Sequence, residues 1–138
     1  MKVVQVVAAA IEQGGKVLAT QRGYGEFEGG WEFPGGKVEP GETPEEALVR
    51  EIREELDAAI AIDWLLANVE YDYATFHLSM HVYVCHHTDN RLELREHLSA
   101  CWVDATNIDA LAWLPADEAV VAALKEQGVV AGRSTPSE

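Results

Sequence analysis

The strongest constraint on this chain is a segment in which three glutamates must share one face of a helix. Glu51, Glu54 and Glu55 occupy positions i, i+3 and i+4, and side chains at that spacing are neighbours on a helical surface. No cationic residue is expected on the same face, and each exposed like-charge pair costs roughly a few tenths of a kcal/mol. The face is therefore either a solvated acidic surface or a site that binds a cation.

The residues before these glutamates have the signals that begin a helix. Thr43 is a suitable N-cap, Pro44 suits the first helical position, and Glu46 completes the capping-box spacing. The spacing predicts a helix from about Pro44 to Asp57. Regularly spaced apolar residues predict the buried stripe of this helix: Leu48, Ile52 and Leu56.

A glycine pair precedes the helix and indicates what the acidic face can bind. Gly35 and Gly36 permit backbone geometry that other residues do not, so their backbone groups can approach an ion or a phosphate closely. Carboxylates and a backbone carbonyl are the hard oxygen ligands that suit Mg²⁺ or Mn²⁺, which in turn bind phosphate oxygens. Arg50 and Lys37 would add positive charge near bound phosphates. An acidic protein can in this way hold an acidic substrate.

Composition excludes several other classes of protein. The chain has 138 residues, of which 48% are apolar, and this predicts one globular domain over residues 1–130 with a frayed tail at 131–138. With 24 acidic and 10 basic residues, the formal charge of −14 opposes binding to nucleic acid polymers and to acidic membranes. The 2 cysteines are too few for a disulfide scaffold. No apolar run approaches the roughly 20 residues of a membrane helix, so we expect a soluble, cytoplasmic protein.

The rest of the chain is predicted to form strands and a second helix. Short strands are predicted from Trp31 and at residues 99–103, and longer strands at residues 1–11, 16–21, 60–73 and 75–87. Alternation within residues 75–87 predicts one apolar and one polar face. The final helix is predicted at residues 116–127, with three inner side chains: Val120, Val121 and Leu124.

The glycine turn and the acidic helix together resemble a known family pattern. Gly36, five residues, Glu42, seven residues and then the run from Arg50 to Glu55 are similar to the Nudix box. That pattern continues with a glycine and an aliphatic residue, whereas this chain has Asp57 and Ala58. The departure concerns the end of the helix rather than its carboxylates.

Outside the box, residues 31–34 and 115–118 resemble those of the MutT-like branch of the family. That branch includes 8-oxo-dGTP diphosphatases and CTP pyrophosphohydrolases. The resemblance implies an α/β (α+β) fold, the Nudix α/β/α sandwich with a mixed β-sheet between helices. It implies Mg²⁺-dependent hydrolysis of (deoxy)nucleoside triphosphates, such as 8-oxo-dGTP, CTP or dCTP, to monophosphate and pyrophosphate for nucleotide-pool sanitation. Two alternatives stay open: a Nudix hydrolase for ADP-ribose or a nucleotide sugar, and a non-catalytic nucleotide sensor. The implied partner is the nucleotide substrate, and the expected oligomeric state is a monomer or a homodimer.

The resemblance also implies metal ligands and catalytic residues. Glu54, Glu55 and the Gly35 carbonyl would bind Mg²⁺, with Mn²⁺ as a substitute. Glu51 would bind metal or act as general base, and Glu96, on a charged loop, would be an additional metal ligand. Which of these glutamates is the base stays open. The implied catalytic set is Arg50, Glu51 and Glu54.

A nucleotide pocket is implied as well. Phe33 would lie beneath the base, Arg22 near the sugar or ring edge, and Tyr73 at an aromatic position beside it. Asp117 would read the base, because a carboxylate accepts from an exocyclic amino group and, when protonated, donates to a carbonyl. This leaves cytosine and oxidised guanine open, and a structural role for Asp117 at the start of the last helix is the alternative. The implied substrate-binding set is completed by Gly36 and Lys37.

Overall fold

The computed structural model describes residues 1–131, which form a seven-stranded sheet and two α-helices. The elements follow the chain in the order β1 Lys2–Gln13, β2 Lys16–Gln21, β3 Trp31–Glu32, β4 Gly35–Lys37, α1 Pro44–Leu56, β5 Ile60–Asp72, β6 Phe76–His87, β7 Ser99–Val103 and α2 Pro115–Glu126, with a 3₁₀-helix at Ile108–Ala110. No helix in this part of the chain is both long and apolar enough to cross a bilayer.

The strands form one mixed sheet. Its main path runs β3-β2-β1-β6-β5, with β4 paired to β1 and β7 paired to β2. Strands β1 and β6 run parallel, from the Lys2–Phe76 pair to the Ile11–Cys85 pair. The other pairings are antiparallel. The mixed sheet expected from the sequence is therefore confirmed.

Alternate side chains of β1 enter two separate cores, because successive residues of a strand point to opposite faces. The core under α1 contains Val7, Ala9 and Ile11 together with the predicted stripe of that helix. The core under α2 contains Ala8 and Ala10 together with the predicted inner residues of the last helix. A helix thus covers each face of the sheet, which confirms the predicted α/β/α sandwich.

The expectation of a polar face on β6 is wrong for the second half of the strand. Tyr83 and Cys85 are buried in the core under α1, with exposed fractions of 6% and 0%. In the first half, His77 and Ser79 are partly buried and hydrogen-bond to the Glu70 carboxylate of β5. Where a helix covers a sheet face, that face needs apolar side chains, and the alternation alone did not reveal the covering helix.

Local hydrogen bonds fix both ends of α1. The Thr43 hydroxyl accepts from the Glu46 N–H at 3.1 Å, and the Glu46 carboxylate accepts from the Thr43 N–H at 3.0 Å, which confirms the predicted capping box. The helix ends at Leu56, one residue before the predicted end, because Asp57 adopts left-handed backbone angles of φ 51° and ψ 34°. The Asp57 N–H still donates to the Arg53 carbonyl at 3.1 Å.

After α2 the chain returns to the turn between β1 and β2. The Ala131 N–H donates to the Gly15 carbonyl at 2.7 Å, and the Ala131 carbonyl accepts from the Ala105 N–H at 3.1 Å. Ala131 is therefore bonded on both sides rather than frayed as expected. The rest of the predicted tail, residues 132–138, lies outside the described residues.

Replacing Ile52 by alanine should destabilise the fold far more than replacing Val49 on the same helix. Ile52 is fully buried, whereas Val49 is 43% exposed. Loss of buried methyl and methylene groups leaves a cavity and costs about 2–5 kcal/mol, while Val49→Ala should stay within about 0.5 kcal/mol. Urea unfolding of both variants measures the difference, and equal losses would contradict the described packing of α1.

Candidate active site

Both Gly35 and Gly36 of β4 lie so close to neighbouring atoms that a side chain at either position would clash with them. The antiparallel pairing with β1 sets Gly35 opposite Ala8 and Gly36 opposite Val7. A Cβ atom on Gly35 would lie 1.9 Å from the Val7 carbonyl oxygen. A Cβ atom on Gly36 would lie 2.3 Å from the carboxyl carbon of Glu51. Gly35 therefore allows β4 to pair closely with β1, and Gly36 leaves space for the Glu51 side chain of α1.

Glu55 is a carboxylate with a buried and unsatisfied oxygen. Its Oε1 atom is buried and has no hydrogen-bond partner. Burial, followed by the negative charges of Glu51 and Glu96, raises the pKa of Glu55 to about 8, against the opposing effect of a hydrogen bond from the Gly35 backbone. A buried carboxylate oxygen without a partner is costly, and a bound cation would satisfy it. Several carboxylates beside a backbone carbonyl form a donor set that fits a hard divalent ion.

Arg50 bonds several oxygens of the acidic face. Its guanidinium donates to Glu42 at 2.6 and 2.9 Å, to Glu51 at 3.1 Å and to Glu54 at 3.2 Å. The hydrogen bonds from Arg50, with one from the Glu39 backbone, lower the pKa of Glu42 to about 2. The expectation that no cation shares the glutamate face is therefore wrong, because the long Arg50 side chain reaches its neighbours on that face.

A pocket of about 140 Å³ lies beside the glycine pair. This volume is close to the roughly 150 Å³ of an apolar cavity that accepts a benzene ring, so the space suits one planar ring system. The apolar part of its wall comes mainly from β1 and β6. The pocket brings together most of the residues predicted to bind a nucleotide: Arg22, Phe33, Gly36, Tyr73 and Asp117, together with Gly35.

Asp117 lines this pocket from the first turn of α2. It is 6% exposed, and its Oδ1 atom accepts a hydrogen bond from the Phe33 N–H at 3.1 Å. Burial raises the pKa of Asp117 to about 8, and the charge of Glu32 acts in the same direction. Near neutral pH the carboxyl is largely protonated and can offer a donor as well as an acceptor. The hydrogen bond from the Phe33 N–H gives Asp117 a structural role as well, and the sequence did not indicate this contact.

Aromatic residues line the pocket, and Trp113 packs behind one of them. The Phe33 ring stacks on Trp113, with 4.7 Å between ring centroids and 11° between planes. Tyr73 packs against Phe27 at 5.5 Å and Phe76 at 5.0 Å, and its hydroxyl accepts a backbone N–H at the start of α2. Trp113 was not predicted from the sequence, because it lies in an irregular segment whose residues show no periodicity.

Glu32 and His97 were not predicted from the sequence either. Glu32 accepts a hydrogen bond from Arg22 at 2.8 Å and lies 3.8 Å from His97. The His97 side chain is 6% exposed, its Nδ1 atom has no partner, and burial lowers its pKa. The available signal was a carboxylate directly before Phe33, yet no local pattern connects that carboxylate to residues on neighbouring strands.

Six predicted site residues do not line the pocket: Arg50, Glu51, Glu54 and Glu55 on α1, and Lys37 and Glu96. Lys37 is exposed at the end of β4, its side chain does not line the pocket, and its carbonyl accepts from Arg50 at 3.0 Å. Glu96 is exposed on the loop between β6 and β7, near enough to Glu55 to raise the pKa of that residue. Within residues 1–131, no three His, Cys, Asp or Glu side chains stand in a ready-made metal-binding arrangement, and Arg50 engages two of the glutamates.

Comparison with known proteins agrees with this architecture. The family model described as NUDIX domain matches residues 1–133, and the chain belongs to the Nudix family of hydrolases. It is 36% identical over 118 residues to the CTP pyrophosphohydrolase of Escherichia coli, covering 85% of this chain and 87% of that protein. It is 39% identical over 121 residues to the putative 8-oxo-dGTP diphosphatase 2 of Mycobacterium tuberculosis, with 86% of each chain covered.

Solved structures have the same fold. The solution structure of the Escherichia coli ORF135 protein matches with a TM-score of 0.81 at 34% identity, covering 100% of this chain and 96% of that one. The MutT NUDIX hydrolase from Burkholderia pseudomallei matches with a TM-score of 0.75 at 28% identity, covering 91% of this chain and 98% of that one. The family expected from the sequence is thereby confirmed.

Alanine at the two glycines of β4 should have different consequences. In Gly35→Ala the methyl group meets backbone atoms of β1, so the sheet must shift and unfolding should become easier by about 1–3 kcal/mol. In Gly36→Ala it meets the end of the flexible Glu51 side chain, so the loss should stay below about 1 kcal/mol while Mn²⁺ binding weakens. Urea unfolding and electron paramagnetic resonance of added Mn²⁺ measure both effects. Equal destabilisation by the two variants would contradict the described contact with Glu51.

Proposed function

We propose that this chain hydrolyses nucleoside triphosphates to a nucleoside monophosphate and pyrophosphate with the help of a divalent cation. The observation that carries the proposal is the buried, unpartnered oxygen of Glu55 beside a ring-sized pocket. Gly36 lines that pocket and also contacts Glu51, so a nucleotide with its base in the pocket would have its phosphates near the acidic face. The relatives named CTP pyrophosphohydrolase and 8-oxo-dGTP diphosphatase support the same class of reaction.

The residues proposed to hold the ion are Glu54 and Glu55 with the Gly35 carbonyl, joined by Glu51 and Glu96. Members of the Nudix family generally need a divalent metal ion. Mg²⁺ is our choice, with Mn²⁺ as a substitute, because every proposed donor is a hard oxygen. When bound, the ion makes water more acidic and offsets the negative charge of the phosphates.

The protein's own side chains would position the attacking water and take up its proton. Glu51 and Glu54 both accept hydrogen bonds from Arg50, so the arginine fixes their orientation. Burial raises the pKa of Glu51 despite Arg50, whereas the Glu54 side chain is 58% exposed. A carboxylate placed beside water can accept its proton. Glu51, Glu54 and Glu96 are therefore the candidates for the general base.

Asp117 is the residue that we assign to base selection. Its protonated carboxyl can donate to a carbonyl, and its ionised form can accept from an amino group, so cytosine and oxidised guanine are both suitable partners. Arg22 would contact the sugar or the ring edge, and Phe33 and Tyr73 would supply apolar walls. The residues assigned to the phosphates are Gly36 and Lys37.

The role that follows is sanitation of the nucleotide pool, with 8-oxo-dGTP, CTP or dCTP as candidate substrates. A single domain over residues 1–130, a cytoplasmic location and a monomeric or homodimeric state stay predictions. Hydrolysis of ADP-ribose or a nucleotide sugar and non-catalytic sensing of nucleotides are the alternatives. The complete set of glutamates favours an enzyme, because a sensor does not need groups that accept a proton from water.

Glu54→Gln should reduce turnover of the preferred triphosphate by at least about a hundredfold. The amide keeps the size of the side chain but can neither accept the proton nor offer a charged ligand. Pyrophosphate release at saturating Mg²⁺ measures this effect, and excess EDTA should abolish hydrolysis by the wild-type protein. The exposed Glu126 at the end of α2 supplies the matched control, because Glu126→Gln should retain wild-type turnover. Near-normal turnover of Glu54→Gln would remove Glu54 from the mechanism, and activity in excess EDTA would defeat the metal proposal.

Asp117→Ala should change the ranking of bases more than the maximal rate. Loss of one hydrogen-bonding group is worth up to about tenfold in the ratio of kcat/KM between two nucleotides. The assay compares CTP, dCTP, 5-methyl-dCTP, dGTP, 8-oxo-dGTP, ADP-ribose and a nucleotide sugar. A uniform loss across all nucleotides would instead assign Asp117 to support of Phe33, and a preference of the wild type for ADP-ribose would favour the alternative substrate class.

A further inference from the structure

The backbone conformation at position 57 and the dipole of α1 both disfavour an aspartate there. The Asp57 φ of 51° lies in the left-handed region, which glycine usually occupies after a helix, and Asp57 is the only non-glycine residue with a positive φ in residues 1–131. It also places a carboxylate at the C-terminal end of α1, where the helix dipole disfavours negative charge. The Nudix box has glycine at this position. Such an outlier persists only where surrounding contacts compensate for it, and it points to a use.

Three arginines surround the Asp57 carboxylate. Arg91 donates to Oδ2 through both Nη2 and Nε, the latter at 3.0 Å. On the other oxygen, Arg95 lies at 3.3 Å and Arg53 at 3.8 Å. The Asp57 side chain is 15% exposed beneath them. An anion at this helix end is therefore compensated by cations, two of which come from the loop between β6 and β7.

The same loop is hydrogen-bonded to the end of α1. The Glu93 N–H donates to the Leu56 carbonyl at 2.7 Å, and the Arg95 N–H donates to the Glu55 carbonyl at 3.2 Å. The Arg95 guanidinium also donates to the Glu54 carbonyl at 3.3 Å. The last carbonyls of a helix have no partners within the helix, so the loop supplies donors that α1 lacks.

Glu96 follows Arg95 directly and is held from its other side as well. The Leu98 N–H donates to the Gln21 carbonyl at 3.0 Å, and a Cβ atom on Gly23 would lie 2.2 Å from the Glu96 carbonyl oxygen. The backbone of Glu96 is thus fixed between the end of α1 and the end of β2.

We propose that Asp57 is a positioning residue for Glu96: with Arg91 and Arg95 it forms a clasp that holds the loop on α1 and presents the Glu96 carboxylate to the cation site. The inference rests on the proposed function, in which Glu96 is a metal ligand. Glycine at this position would end the helix without strain. It would also leave both arginines without their shared partner, so the loop would dock less firmly.

Asp57→Gly and Asp57→Asn test the clasp, because both residues tolerate the left-handed backbone and neither carries a charge. In the metal-free protein, hydrogen exchange at the Glu93 and Arg95 amides should become about tenfold faster, and exchange at the Leu98 amide should change by less than about threefold. The dissociation constant for Mn²⁺, measured by electron paramagnetic resonance, should rise by about tenfold, as expected for loss of a group that orients a ligand. A cooperative thermal unfolding transition of each variant checks that the fold is retained.

Two further variants serve as controls. Asp109 pairs with Lys125 near α2, so Asp109→Asn removes an equal charge and one surface ion pair elsewhere and should leave exchange and Mn²⁺ affinity unchanged. Arg91→Gln should reproduce part of the effect of Asp57→Asn, because Arg95 and Arg53 keep their contacts with the carboxylate. The double variant should add little to Asp57→Asn alone, because the Asp57–Arg91 contact is already lost.

Unchanged exchange at Glu93 and Arg95 would overturn the proposal, and so would faster exchange with unchanged Mn²⁺ affinity. Nucleotide hydrolysis by the wild-type protein is measured in parallel. If the wild type is active and the Asp57 variants bind Mn²⁺ normally, the clasp alone is contradicted. If the wild type hydrolyses none of the nucleotides, the proposed function is contradicted, while amide exchange and Mn²⁺ affinity still decide the role of Asp57.

Discussion

The close approach of α1 to β4 is the constraint on which the rest of the site depends. Because Gly35 has no side chain, β4 can pair tightly with β1, and because Gly36 has none, the Glu51 carboxylate can lie against β4. The apolar stripe of α1 holds the helix on the sheet, so its acidic face is pressed toward the glycine strand. Burial of Glu55 follows from this packing, and the unsatisfied oxygen of Glu55 is the reason to expect a cation there.

Charge compensation organises the residues around this contact. Arg50 bonds Glu42, Glu51 and Glu54, so the like-charged face of α1 is partly neutralised by a side chain of the same helix. Glu55 receives no such bond from Arg50. The arrangement therefore has one carboxylate with an unpartnered buried oxygen and two carboxylates that Arg50 orients. Directly after the helix, arginines from the loop between β6 and β7 offset the charge of Asp57 in the same way.

Short-range signals predicted the elements well. Strands β2 and β7 were predicted at the observed residues, and the capping box and buried stripe of α1 were confirmed. The expected polar face of β6 was wrong for the second half of the strand, because alternation within a strand does not show which helix will cover it. The site was harder to predict: the motif located the acidic residues of α1, whereas Glu32, Trp113 and His97 were missed. Each of those three acts through contacts with segments that are distant in the chain.

The sequence by itself determined the family, the acidic helix and the glycine turn, because their signals lie within spacings of a few residues that helix and turn geometry translate directly into positions. Only the tertiary structure decided which groups meet: Asp117 with the Phe33 backbone across 84 positions of the chain, and Asp57 with Arg91 across 34. It also decided that one glutamate oxygen lies buried without a partner. Such contacts form only when the sheet brings separate segments together, and burial and pKa depend on all the neighbours at once.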